Sequence, residues 1–203
     1  MTPHPLLPGR LADGATLRDI DQSWPVSGTE SAYESPYVSL SIDTIVGPDG
    51  HEHARAVVRP HGAVGVLALD DADRILLVEQ YRHPVRRRLL EIPAGTLDVP
   101  GEEPLAAAVR ELAEEADLAA DQWEPLLTMV ATPGYSTEAW DVFRATGLTE
   151  VPDGHRTTRE AEEADMHQWW LPFDDAVKAV LSGRITDAMT VSSILAAEVL
   201  RSR

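Results

Sequence analysis

Apolar and polar positions alternate in several short runs of this chain and follow a helical period in others. Residues 37–46 alternate in the manner of a strand, Gly47-Pro48-Asp49-Gly50 marks a turn, and residues 51–58 have the composition to return antiparallel. A hairpin of that size is not stable alone and must pack on the rest of the chain or on a second subunit. Residues 63–69 read as a buried strand, Asp70 to Asp73 turns, residues 74–81 return, and residues 89–93 form a short strand before a glycine loop. Pro104 suits the first position of a helix ending near Ala116, with Glu102 and Glu103 at its positive end. Its predicted core face is Leu105, Ala108, Val109, Leu112 and Ala116, with Glu111 and Glu115 flanking that face at the edge of a cleft. Strands are expected at 126–131, 140–146 and 166–171, and closing helices at 172–181 and 187–200. This interleaving predicts an α+β fold with a mixed sheet between helices. Residues 1–35, rich in Pro, Gly, Ser and Asp, are expected to be poorly ordered at their start.

With 203 residues, one compact domain and an appendage is the natural size. The boundary is expected at 58/59, with a tail and hairpin over 1–58 and the main domain over 59–203. The chain has no cysteine, which removes disulfides and thiolate metal sites and makes a cytoplasmic location the default. No apolar run is long enough to span a bilayer, so no membrane partner is expected. The formal charge of -17 opposes nucleic-acid binding. It would also repel a phosphorylated substrate unless local cations intervene.

The acidic helix invites such cations. Within Arg110-Glu111-Leu112-Ala113-Glu114-Glu115, residues three and four apart are neighbours, so Glu111 and Glu115 point the same way with Glu114 beside them. Two alternatives stand on these residues alone. One is a solvated acidic face, common in so acidic a chain; the other is a site for a hard divalent ion such as Mg2+ or Mn2+, which takes oxygen ligands.

Read outward, the order Gly95, Glu102, Arg110-Glu111-Leu112-Ala113-Glu114-Glu115, Leu118 resembles the Nudix box, the loop–helix–loop of hydrolases that cleave nucleoside diphosphates linked to another group. Two departures stand out. Six residues, Thr96 to Gly101, separate the glycine from the first glutamate where the family usually has five, and Asp117 stands where the family usually has glycine. That glycine ends the helix in a left-handed conformation, which Asp tolerates better than most residues. Gln80-Tyr81-Arg82, Glu91-Ile92-Pro93-Ala94-Gly95, Pro133 and Glu162-Glu163-Ala164-Asp165-Met166 are similar to segments of the ADP-ribose pyrophosphatase subgroup, in its actinobacterial form.

The resemblance implies a Nudix α/β/α sandwich with a small N-terminal antiparallel sheet through which two copies form a homodimer, and Mg2+-dependent hydrolysis of ADP-ribose to AMP and ribose 5-phosphate. Its metal ligands would be Glu111, Glu114, Glu115 and the carbonyl of Ala94. Arg110 would orient a carboxylate, against the plainer reading of an ordinary helix ion pair. Glu102 would either stabilise the helix start or bind through water. The base would come from the loop 157–165, with Glu163 the best match and Glu162 the fallback; composition alone reads that loop as a solvated acid run. Arg82 would meet substrate phosphate or ribose, Glu91 would help place the ribose or the metal's water, and Ser136 and Glu138 would contact the terminal ribose. Arg86-Arg87-Arg88 reads as a solvated turn, and of Trp169 and Trp170 one ring is expected in and one out. Two further readings remain: hydrolysis of another nucleotide sugar, such as one carrying guanosine, and a catalytically silent nucleotide sensor.

Overall fold

The computed structural model describes residues 2–15, 17–157, 159 and 164–202. Two short strands, β1 (Thr2–Pro3) and β2 (Arg10–Leu11), pair with each other ahead of an antiparallel sheet of β3 (Val26–Glu34), β4 (Val38–Val46) and β5 (Glu52–Pro60). The β4–β5 hairpin is the one its alternation predicts. β3 is a strand that the reading of residues 1–35 did not include. Its sequence, Val26-Ser27-Gly28-Thr29-Glu30-Ser31-Ala32-Tyr33-Glu34, carries no hydrophobic alternation, and every residue of it is exposed. It is a strand because its backbone pairs with β4, a long-range partnership that a local pattern does not report.

The main body follows as β6 (Ala63–Ala68), β7 (Arg74–Arg82), β8 (Arg87–Glu91), β9 (Ala94–Thr96), α1 (Pro104–Ala116), β10 (Leu118–Val130), β11 (Ala139–Glu150), β12 (His167–Pro172), α2 (Phe173–Leu181) and α3 (Ala188–Arg201). One sheet has the order β10-β11-β6-β9 and is mixed, because β11 runs parallel to β6 while the other pairs are antiparallel. The other, β12-β7-β8, is antiparallel throughout. The turn at Asp70 forms as expected, its side chain accepting from the N–H groups of Ala72 and Arg74. The strands it joins nevertheless lie in different sheets, with an isolated bridge at Leu69–Ile75. β10 and β11 extend beyond the predicted strands because their ladder continues to Leu118–Glu150, past a bulge between Pro125 and Leu127.

Alternate residues of β6 serve two cores. Val64, Val66 and Ala68 pack with Leu76 against Ala107, Ala108, Leu112 and Ala116 of α1. Leu67, with Leu69 just past the end of the strand, packs with Ile75, Leu77 and Ile92 against Phe173 and Ala176 of α2 and Ile194 and Ala197 of α3. The sheets thus lie between α1 on one side and α2–α3 on the other: the pattern predicts sheet between helices, and the resemblance implies this α/β/α sandwich. The N-terminal sheet joins this body through the backbone: Val58 N–H donates to the Tyr135 carbonyl at 2.8 Å, and Thr137 N–H to the Val58 carbonyl at 3.0 Å.

The buried face of α1 is rotated from the predicted one. Leu105 and Val109 are 42% and 43% exposed, whereas Ala107, Ala108, Glu111, Leu112, Glu115 and Ala116 are buried. Small alanines let the helix axis approach β6 and β9 closely, and the stripe that faces the sheet then carries the two glutamates. Leu112→Ala is expected to cost about 2–5 kcal/mol, and Leu105→Ala under about 0.5 kcal/mol. Urea denaturation of both variants checks this; equal losses would contradict the observed rotation.

Candidate active site

Pro104 opens α1 at its first position, and the helix closes at Asp117, which takes φ 56° and donates its N–H to the Ala113 carbonyl. Between these ends, the helix presents its acids to β9. Gly95 of β9 lies so close that a Cβ there would sit 1.9 Å from the carboxyl carbon of Glu111. Only glycine permits that approach. Beside it, the Ala94 N–H donates to Glu115 Oε2 at 2.8 Å.

Arg110 gathers the other acids. Its Nε and Nη2 donate to the two oxygens of Glu102 at 3.1 and 2.9 Å, and its Nη1 donates to Glu111 at 2.6 Å and to Glu114 at 3.0 Å. The bidentate geometry fixes the guanidinium plane. The hydrogen bond to Arg110 holds the Glu102 carboxyl below its ordinary value, and the Glu102 bond in turn raises Arg110 above the usual arginine value. Beyond the two roles open for Glu102 in the sequence, the structure makes it a partner of Arg110.

On the adjacent sheet, Arg82 donates to buried Glu91 through Nε at 3.0 Å and Nη2 at 2.5 Å, and Gln80 reaches the same carboxylate at 3.4 Å. The Arg82–Glu91 hydrogen bond, with the nearby charges of Glu91 and Glu115 adding to it, raises the Arg82 guanidinium above the usual arginine value. A buried chain supports this side of the site: Ile92 N–H donates to Thr190 Oγ1 at 2.9 Å, and Thr190 is bound to Asp187, the N-cap of α3. Ser136 and Glu138 lie on the loop between β10 and β11, where Ser136 Oγ accepts the Glu138 N–H. That loop opens at the same end of β6 as β9, since Ala63 pairs with both Thr96 and Trp140. Glu111 and Glu114 thus meet on Arg110, Glu111 lies against Gly95, and Glu115 accepts from the Ala94 N–H; Arg82 and Glu91 form their own pair, and Ser136 and Glu138 join through the Ser136 hydroxyl while the Ser136 N–H donates to the Thr132 carbonyl and the Glu138 carbonyl accepts from the Ala131 N–H. Glu162 and Glu163 lie outside the described residues.

A family comparison decides what this arrangement belongs to: residues 59–189 match the NUDIX domain. The chain belongs to the Nudix family. It is 41% identical over 170 residues to an ADP-ribose pyrophosphatase of Mycobacterium tuberculosis, covering 83% of this chain and 80% of that one. It is 34% identical to a methanol dehydrogenase activator of Bacillus methanolicus, covering 82% of this chain and 88% of the relative. An ADP-ribose pyrophosphatase of Bacillus subtilis is also 34% identical, covering 81% and 87% of the two chains. A solved structure described as an ADP compounds hydrolase superposes with a TM-score of 0.74 over 90% of this chain and 96% of that one, at 19% identity, which shows the shared fold.

Nudix hydrolases generally need a divalent metal, and the donor set here is of the right kind. Glu111, Glu114 and Glu115 offer hard oxygens, and the chain has no thiolate to compete. In the arrangement described, Arg110 Nη1 bridges Glu111 and Glu114, and among the described residues no group of three or more acidic or histidine side chains is drawn together as a ligand set. The guanidinium supplies the positive charge that three close carboxylates require.

Several residues around α1 and β12 make contacts that the sequence reading did not include. Arg88 is not part of a solvated turn: it donates to Glu79 at 2.9 Å and to Asp165 at 2.6 Å, holding the start of β12 to β7. Arg159 and Gln168 reach the last carbonyls of α1. Trp169 and Trp170 point to opposite faces as the alternation predicts, yet both rings are exposed, because β12 is an edge strand. Only Arg88 lay in a motif that could have pointed to a role, a run of three arginines next to a strand.

The lowered Glu102 value has a pH consequence. A depressed carboxyl contributes stability that is present above its unfolded value and lost as pH falls through the folded one. Glu102→Gln is therefore expected to flatten the acid side of the stability profile while changing the neutral side less. Denaturation midpoints between neutral pH and pH below the ordinary glutamate range check this; identical slopes for both proteins would contradict it.

Proposed function

We propose that this chain is a Mg2+-dependent ADP-ribose pyrophosphatase, with Mn2+ an acceptable substitute. The observation that carries the reading is the buried pair Glu111 and Glu115, the first against Gly95 and the second on the Ala94 N–H, with Arg110 joining Glu111 to Glu114. The relatives named ADP-ribose pyrophosphatase support the substrate. The activator's different name at comparable identity makes a substrate panel part of the test.

Glu111, Glu114, Glu115 and the Ala94 carbonyl would hold the cation. When bound, it would supply charge neutralisation and Lewis acidity toward the diphosphate. In hydrolysis, water oxygen adds to one phosphorus, the bridging P–O bond breaks, and AMP and ribose 5-phosphate result. Glu163, or Glu162 beside it, takes the proton from the attacking water. Arg110 keeps Glu111 and Glu114 oriented and offsets their repulsion. Arg82 binds a phosphate or ribose oxygen, held ready by Glu91, which itself helps place the ribose. Ser136 and Glu138 contact the terminal ribose. The small-molecule substrate is anionic, so these cationic groups also counter the field of a chain of charge -17.

Residues 1–58 form the second unit of this reading. The N-terminal sheet touches the body through few bonds and exposes one edge strand along its whole length. It is the surface through which two copies pair, and it contributes part of the nucleotide site. A cysteine-free chain with a nucleotide substrate fits the cytoplasm.

Across a panel of nucleoside diphosphate compounds, with phosphate counted after alkaline phosphatase, ADP-ribose with Mg2+ is expected to be turned over fastest. Glu115→Gln and Glu163→Gln are each expected to lower kcat by at least about 100-fold with the fold retained, as loss of a charge-stabilising ligand or a general base does. If Glu162→Gln rather than Glu163→Gln shows that loss, the base is Glu162. A faster guanosine sugar would favour the alternative substrate, and a wild-type protein that binds nucleotide without turnover would make the chain a sensor. Light scattering is expected to give twice the mass of one chain; a fully active monomer would remove the dimer from this reading.

A further inference from the structure

Helix α1 ends on carbonyls that its own backbone leaves without partners. Two of them are satisfied from the chain on either side of residues 160–163. Arg159 Nε donates to the Glu114 carbonyl at 3.0 Å, and Gln168 Nε2 to the Glu115 carbonyl at 3.2 Å. Arg159 is held there by a second bond, Nη2 to Asp117 Oδ2 at 2.6 Å, and both side chains of that ion pair are largely buried. The backbone of Asp117 also accepts from Val151 N–H at 2.8 Å. Asp117 is the residue that departs from the glycine usual in the Nudix box. Glycine would close the helix with the same positive φ at lower conformational cost, so the helix terminus alone does not account for a carboxylate here. What the carboxylate adds is the grip on Arg159.

We propose that Asp117 and Arg159 are positioning residues that fix the chain entering the segment 160–163 to the turn of α1 bearing Glu114 and Glu115. Arg88, through Asp165, and Gln168 hold the chain leaving it. The catalytic pieces lie far apart in sequence, so their alignment needs such ties across the gap between β11 and β12. A cation at the C-terminal end of a helix also meets the negative end of its dipole, which favours Arg159 over a neutral donor. This role rests on the hydrolase reading above for its effect on turnover, though not for its geometry.

The test compares wild type with Asp117→Gly, Arg159→Ala, Arg159→Lys and the double variant Asp117→Gly/Arg159→Ala, all as full-length protein. Asp117→Gly suits the left-handed terminus, so its melting temperature is expected to equal or exceed that of wild type. Its kcat on ADP-ribose with Mg2+ is expected to fall roughly ten- to hundredfold, the scale of a misplaced catalytic group, while KM changes by less than about threefold. Arg159→Ala should match it, Arg159→Lys should recover part of the loss, and the double variant should be no worse than Arg159→Ala because both remove one tie. Independently of turnover, trypsin should cut after Arg156 faster in Asp117→Gly and Arg159→Ala than in wild type. Wild-type kcat in Asp117→Gly, or a loss that tracks its melting temperature, overturns the assignment. If wild type itself does not turn over ADP-ribose, the hydrolase reading fails, and the tryptic rates still decide: unchanged cleavage after Arg156 overturns the tie.

Discussion

The close approach of the Glu111 carboxylate to β9 at Gly95 is the constraint on which the site depends. A backbone without Cβ lets the carboxylate of Glu111 settle where a side chain would otherwise stand, and Glu115 then reaches the Ala94 N–H. Burying acidic groups in this way is costly unless each finds a partner. The partners here are a backbone N–H and an arginine that is itself shared among Glu102, Glu111 and Glu114. Removing Arg110 would leave the three carboxylates without the cation they share.

The same constraint explains what the sequence revealed and what it concealed. The helix over 104–116, its proline start and its ion pair between Arg110 and Glu114 are local, and local pattern located them. The facing of that helix was not legible, because hydrophobicity favours Leu105 and Val109 for the core, while packing distance favours Ala107 and Ala108. The alanine face is the one that meets the sheet. β3 was missed for a related reason: its residues bury nothing, and only the ladder to β4 makes it a strand. The partners of Arg88 and Arg159 were equally invisible, since Asp165 and Asp117 lie far from them in sequence and no periodicity records such a meeting. Spacing identified the box; three-dimensional pairing supplied the residues that hold its surroundings.

Charge is distributed with the same economy. A chain of net charge -17 would be expected to repel an anion, yet the arginines near the helix are all engaged with carboxylates. Arg82, Arg88, Arg110 and Arg159 each bind an acid from another element or turn. These pairs contribute orientation more than stability, because ion pairs near solvent are individually weak.

Strand β6 carries a further consequence, in the order of assembly. One edge pairs with β9, which lies nearby in the chain, and the other pairs in parallel with β11, which is made much later. The acid-bearing helix, its glycine neighbour and the first edge all belong to a compact stretch with short loops to close. The second edge waits for a distant strand, and distant parallel pairings are slow to form. A nascent chain that ends after α1 would hold every carboxylate of the cluster while β6 still offered a bare, apolar edge. Until β11 arrives, that edge is the place where the growing protein is most exposed to the wrong partner.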